Sequence, residues 1–224
     1  MPPVKPWTTL ATARAPDGTV WTLSERDGVF AIRVGGHELM SSARHGSEEA
    51  MAAAGLGGLS QLAPRVLIGG LGMGYTLRAA LERLPAEASV QVAELSGAVI
   101  AWNLGPLGPL AGHPLRDPRV RVEPGDVARL LGSAPARRFH AILLDVDNGP
   151  SGLAQKDNQR LYGAEGLRVF HRSLAPGGTL VVWSAGPDDS FLRRLQQVGF
   201  EAEAKTVKAH ARAPTRHTLF VART

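Results

Sequence analysis

The chain has 224 residues, a formal net charge of +5, 44% hydrophobic and 20% charged residues, ordinary proportions for a globular protein able to bury a sizeable core. It has no cysteine, which excludes disulfides, thiolate metal sites and cysteine nucleophiles; no apolar run of about eighteen residues could span a membrane, and the opening MPPVKPWTTL lacks the apolar core of a secretory signal, so a cytoplasmic protein is expected. Its basic residues are mostly arginine and are spread along the chain, with Lys205, Lys208, His210, Arg212, Arg216, His217 and Arg223 near the end; without an arginine-rich tail or aromatic stacking motif, a solvated basic surface is expected rather than a nucleic-acid interface.

Residues 1–16 are proline-rich and expected to be irregular. Segments 19–25 and 29–34 flank Arg26-Asp27-Gly28, a hairpin signal, and Gly35-Gly36 turns the chain into 37–42, predicting an antiparallel unit of about three strands over 17–42. Residues 47–54 read as a helix that Ser47 could cap. Apolar strand patterns and helix patterns then alternate: strand 66–69, helix 75–84, strand 89–93, helix 96–103, strand 119–123, helix 126–132, strand 139–145, a loop, helix 164–174, strand 179–184 and helix 188–198. Residues 200–208 and 217–223 close the chain as two strands with no helix between them. This order predicts an α/β fold with a mostly parallel sheet, helices on both faces and an antiparallel edge. The division expected is a hairpin unit over 1–45 and a nucleoside-binding domain over 46–224.

The densest functional signal is Val66-Leu67-Ile68-Gly69-Gly70-Leu71-Gly72-Met73-Gly74. Gly70, Gly72 and Gly74 form a G-x-G-x-G turn between a strand and a helix. Glycines there allow positive φ and let the backbone approach a ligand, toward which the next helix directs its free N–H groups. Twenty residues after Gly74 the next strand ends in Glu94, an acid placed to accept both hydroxyls of a ribose. The glycine spacing fits S-adenosylmethionine better than a dinucleotide. In sheets of this kind the ligand lies outside the carboxyl ends of the strands. There Leu95 either packs on the adenine face or joins the core. Gly125-Asp126 offers either an acceptor for the adenine amino group or a helix cap. Asp145 ends the apolar strand 139–145, and Asp147 and Asn148 follow it. Their clustered carboxylates can bind an amine or take a proton from a nucleophile, one of them holding its proton more readily beside the other. No histidine lies nearby at ligand spacing, so no metal is expected. The polar stretch 150–163, with Tyr162, reads as a substrate lid. Arg44 to Glu49 could roof the site, with His45 and Glu48 as substrate contacts, although a lone histidine before a helix also serves structure. Core packing is the expectation for Trp102 and Trp183.

These residues resemble the spermidine synthase-like branch of the class I S-adenosylmethionine-dependent methyltransferase superfamily, from about Gly36 to Gly199. Val66–Gly74 is similar to the branch's cofactor loop, Glu94-Leu95 to its ribose acid and the apolar residue beside it, and Gly125-Asp126 to its adenine-side acid. Leu144-Asp145 with Gly149-Pro150 is similar to its aspartate-rich catalytic loop, and Leu161-Tyr162 through Gly177-Gly178 to the segment that follows. The resemblance implies a Rossmann-like methyltransferase fold, a site for S-adenosylmethionine or its decarboxylated form, and Asp145 at both cofactor and acceptor. Two departures stand out. The loop Asp145-Val146-Asp147-Asn148 is compressed and lacks the branch's proline, and Ser47-Glu48 stand where the branch carries a Tyr-Gln pair that holds the diamine. The reaction expected is therefore methyl transfer to a small-molecule acceptor, an amine among the options, with Asp145 and Asp147 as catalytic residues. Aminopropyl transfer to a polyamine from decarboxylated S-adenosylmethionine is the alternative, and a non-catalytic nucleoside-binding protein a further one. The hairpin unit offers a surface for a homodimer contact.

Overall fold

Two-residue turns organise the beginning of the chain. Asp27 and Gly28 have φ of 52° and 78°, and Gly35 and Gly36 have 56° and 85°, the paired positive values that match the twist of a tight hairpin. They join strands β2 (Val20–Arg26), β3 (Val29–Val34) and β4 (His37–Ser41), which with β1 (Thr8–Arg14) form a four-stranded antiparallel sheet in the order β1-β2-β3-β4. The computed structural model describes residues 5–15, 18–133, 136–146, 149–150, 161–209 and 215–224. The irregular segment expected at the start of the chain is corrected within these: Thr8–Arg14 pairs with β2 from Thr8↔Glu25 to Arg14↔Val20. The prolines flank it, Pro2, Pro3 and Pro6 before and Pro16 after, and its threonines suit an extended, solvated edge. Leu23 and Ile32, paired across β2 and β3, are fully buried on the face that this sheet turns to the rest of the molecule.

The second sheet has seven strands: β5 (Arg65–Gly69), β6 (Ser89–Glu94), β7 (Val120–Pro124), β8 (Phe139–Leu144), β9 (Leu174–Ser184), β10 (Glu201–Lys208) and β11 (Arg216–Arg223), in the order β10-β11-β9-β8-β5-β6-β7. Strands β5 to β9 run parallel, while β11 is antiparallel to both β9 and β10. Among the described residues six α-helices accompany it: α1 (Gly46–Leu56), α2 (Tyr75–Leu81), α3 (Gly97–Leu104), α4 (Val127–Ser133), α5 (Ala164–Ser173) and α6 (Asp189–Val198). The period-two alternation of the strands divides the core. Val66, Ile68, Ala141, Leu143 and Val181 meet α1, α2, α3 and the first sheet, whereas Leu67, Ile142, Leu144, Leu180 and Val182 meet α4, α5 and α6. Burial on both faces is why these strands read as continuous apolar runs. α1 lies close to the sheet because Gly55 has no side chain: a Cβ there would collide with Leu143. This mixed α/β architecture, with a mostly parallel sheet, an antiparallel edge and a small antiparallel unit, is the one expected from the sequence. No helix among the described residues is long and apolar enough to cross a membrane.

Candidate active site

β5 lies between β6 and β8. The chain leaves β5 toward α2 on one face and leaves β8 toward α5 on the other, so a crevice opens at the carboxyl ends of these two strands. The glycine turn forms one wall. Gly70, Gly72 and Gly74 have φ of 89°, 52° and 82°, conformations that side chains resist. A Cβ on Gly70 would also strike the Asp145 carbonyl, and one on Gly72 would touch Met40 of β4 at 3.4 Å. Buried Asn103 clamps the turn, its amide donating to the Gly72 carbonyl at 2.8 Å and to the Val99 carbonyl at 2.9 Å. Glu94 is only 9% exposed. One carboxylate oxygen accepts the Leu71 N–H at 2.8 Å and the other the Ser96 N–H at 2.7 Å, so its charge is fixed between the turn and the start of α3.

The neighbouring strand ends complete this half of the crevice. Leu95 is 69% exposed, which removes the core-packing option and leaves an apolar surface open beside Glu94. Gly125 donates its N–H to the Glu94 carbonyl at 2.8 Å, bringing Gly125-Asp126 alongside. Asp126 accepts the Ala128 N–H at 2.8 Å, so it does serve as a cap. Acid, open apolar face and side-chain-free turn fit a nucleoside.

Asp145 faces the turn from the end of β8. Its N–H donates to the Gly69 carbonyl at 2.8 Å, and its carboxylate accepts the Thr76 hydroxyl at 3.0 Å. Burial pushes its pKa up to about 6; the Thr76 hydrogen bond opposes the rise and the Glu94 charge adds to it. Glu48, in the first turn of α1, is raised to about 7 by burial and then by the Asp145 charge, with the Ser47 hydrogen bond opposing. Two carboxyl groups from distant parts of the chain thus repel one another across the crevice and hold protons near neutrality.

This has a measurable consequence. Each acid binds its proton more tightly folded than unfolded, where carboxyl groups ionise near pH ~4. The folded state therefore gains stability at low pH and loses it as the pH rises toward about 6 for Asp145 and about 7 for Glu48, because burial then acts on the charged form. Glu48→Gln and Asp145→Asn remove that penalty. The Tm, relative to the parent, should move in the variant's favour as the pH rises from about 4 to about 6 for Asp145→Asn and to about 7 for Glu48→Gln, and level off above. A difference that stays flat with pH would mean the groups titrate normally.

His45 stacks on Tyr75 with ring centroids 4.4 Å apart, and its Nδ1 lies 3.0 Å from a Glu49 oxygen that also takes the Arg78 guanidinium at 2.7 Å. It is thereby held by Tyr75 and Glu49. Tyr162 is 3% exposed, packs edge-on against Phe191, and donates its hydroxyl to the Val146 carbonyl at 3.3 Å, so it meets the acidic loop through the backbone. Asp147 and Asn148 lie outside the described residues, as do 151–160 of the expected lid. Among the described residues no cluster of histidine and acids suits a metal. Sequence reasoning missed Thr76, Met40 and the Ser47–His217 contact, in which His217 Nδ1 lies 3.0 Å from Ser47 Oγ. Thr76, two residues beyond the last turn glycine, was within reach of a local argument; a pairing across 170 positions leaves no local signal.

No family model matches the chain. Over 131 residues it is 34% identical to a polyamine aminopropyltransferase of Mycobacterium tuberculosis, a stretch covering 58% of this chain and 24% of that protein; the chain thus spans about a quarter of the length of the curated relatives it matches. Among solved structures, spermidine synthase from Thermotoga maritima superposes with a TM-score of 0.76 at 17% identity, covering 96% of this chain and 72% of that one. A spermidine synthase in complex with the transition state analogue AdoDATO gives 0.74 at 16% identity, again covering 96% and 72%. These findings overturn the expectation of methyl transfer, since the relative matched is an aminopropyltransferase. That expectation rested on the missing Tyr-Gln pair, and it overlooked that Glu48 brings a carboxylate of its own to Asp145. In sequence over 131 residues and in fold over nearly its whole length, the chain resembles the spermidine synthase-like branch of the class I S-adenosylmethionine-dependent methyltransferase superfamily.

Proposed function

We propose that the chain transfers an aminopropyl group from decarboxylated S-adenosylmethionine to a cationic amine of the polyamine type. The observation that carries this reading is the meeting of Glu48 and Asp145 opposite the glycine turn. Two carboxyl groups beside a third, Glu94, make a strongly negative crevice that favours a cation and disfavours an anion. When bound, the nucleoside supplies a sulfonium-activated three-carbon chain. Glu94 holds the ribose, Leu95 packs on the adenine, Asp126 serves the adenine edge, and the turn leaves room for the backbone to approach. Asp145, steadied by Thr76, holds the attacking nitrogen in line, and with Glu48 it takes the proton that this nitrogen must lose. Asp147 belongs to the same acidic group by sequence, with Asn148 beside it.

The decisive experiment is a calorimetric comparison of S-adenosylmethionine with its decarboxylated form. They differ by one carboxylate. Like charges about 4 Å apart near a protein surface repel by about 4 kcal/mol, so the decarboxylated form should bind at least ~10-fold more tightly. Equal affinity, or preference for S-adenosylmethionine, would remove aminopropyl transfer as the reaction.

A further inference from the structure

The proposed reaction releases a proton in a crevice that is already acidic, and that proton must leave for the next turnover. Glu48 and Asp145 accept protons readily, but acceptance alone would stall the site. A hydrogen-bonded line runs outward from Glu48. The Ser47 hydroxyl donates to Glu48 Oε2 at 2.6 Å, and His217 Nδ1 lies 3.0 Å from the same hydroxyl oxygen. Ser47 is 2% exposed, so the middle of the line is sealed from water. His217, on β11, is half-buried at the sheet's antiparallel edge. Its ring is braced edge-on by Trp183, with centroids 4.7 Å apart.

We propose that Ser47 and His217 form a proton path that carries the proton released by the acceptor amine from Glu48 to solvent at the edge of the sheet. The inference rests on the aminopropyl-transfer reading. The bookkeeping is simple. As the nitrogen attacks, one of its N–H bonds breaks and an O–H bond forms on Glu48. With the Ser47 hydroxyl turned toward His217, the carboxyl proton moves to Ser47 Oγ as the hydroxyl's own proton moves to His217 Nδ1. The imidazolium then gives its Nε2 proton to water. Ser47 is regenerated, the His217 ring returns from its Nδ1–H to its Nε2–H tautomer by proton exchange with water before the next turnover, and no electrons are transferred.

The surroundings set the direction. Around Glu48 stand Asp145 at the end of β8, Glu49 on α1 and Tyr75 on α2, and Arg78 pairs with Glu49. Around His217 the charges are basic: Arg44 precedes α1, and Lys208 pairs with Arg216 one position before it. Burial, and then the Arg44 charge, hold the His217 pKa below the usual imidazole range. The step from Glu48 to His217 is therefore slightly uphill, and prompt loss of the Nε2 proton to water at the basic outer end draws it forward.

Ser47→Ala and His217→Gln should each lower kcat about 10-fold near neutral pH, less than the ~10²–10⁴ that a general base supplies, with little change in KM for the amine. The loss should fade as the pH rises past ~10, where a growing share of an alkylamine is already neutral. Imidazole added to His217→Ala should restore turnover. Superimposable kcat–pH profiles for parent and variants, with no imidazole effect, would overturn the path. A second measurement needs no turnover. In the parent the His217 ring resonances should show, besides their own midpoint, a second inflection at about pH 7 as Glu48 ionises, and Glu48→Gln should abolish it, whereas parent curves without that inflection mean that the two groups are not linked. An inactive parent defeats the aminopropyl-transfer reading, and the NMR linkage then decides the path by itself.

Discussion

Replacing Asp145 by Asn is expected to lower kcat by ~10²–10⁴, the range for loss of a positioned acid or base, while nucleoside affinity stays within a few-fold of the parent. The geometry separates the two effects. Asn keeps the shape of the side chain, the backbone N–H still reaches the Gly69 carbonyl, and the Thr76 hydroxyl can still donate to the remaining side-chain oxygen. What disappears is the charge and the capacity to take a proton. Steady-state turnover with amine acceptors, measured beside calorimetry of the nucleoside, reads both quantities. Parent-like turnover in a folded Asp145→Asn protein would leave this carboxylate a merely structural role. Asp145 rather than Asp147 is the first target because it directly ends the buried strand β8 and faces both Glu94 and Glu48.

Glu94→Ala is expected to weaken nucleoside binding by at least ~10²-fold, because two charge-assisted hydrogen bonds to the ribose, each worth ~1.5–3 kcal/mol, are lost together. The same change also strands the Leu71 and Ser96 N–H groups that the carboxylate now accepts, so the glycine turn loosens as well. Glu94→Gln distinguishes the two contributions. Its amide nitrogen would face one of those N–H groups, donor against donor, while the side-chain volume is preserved. Calorimetry with methylthioadenosine checks the expectation, and parent-like affinity in both variants would remove Glu94 from the ribose.

Much of this site was legible because its nucleoside half is local. The turn, Glu94 and Gly125-Asp126 each follow a strand, and strand ends in a parallel sheet converge whatever the details of packing. Alternation of apolar runs with amphipathic helices gave the sheet and its antiparallel edge. The first strand was hidden because Thr8–Arg14 is almost wholly solvated and its neighbouring prolines dominate the composition. The acceptor half was harder. Glu48 and Ser47 sit on α1, an alanine-rich helix whose pattern does not mark which face meets the sheet. Their partners Asp145 and His217 lie about one hundred and one hundred and seventy positions away. Ser47-Glu48 in place of the Tyr-Gln pair looked like loss of an amine contact, whereas tertiary placement sets the Glu48 carboxylate beside Asp145.

The contact between Ser47 and His217 also has a bearing on the order in which the molecule assembles. The cofactor turn and Glu94 are joined by sequence-near pairing of β5 with β6, contacts that form with little loop-closure cost. α1 instead rests on β8 to β11 and is pinned at its start, where the Gly46 N–H donates to the Ala209 carbonyl at 2.9 Å. α1 also packs on α2, which follows it closely, but during synthesis the Ala209 carbonyl and His217 emerge long after both, so the start of the helix is pinned only once the sheet is laid down beneath it. The nucleoside pocket is therefore an early product of folding. The acidic acceptor pocket is a late one, closed only when the β10–β11 pair reaches back to a helix made some one hundred and sixty residues earlier.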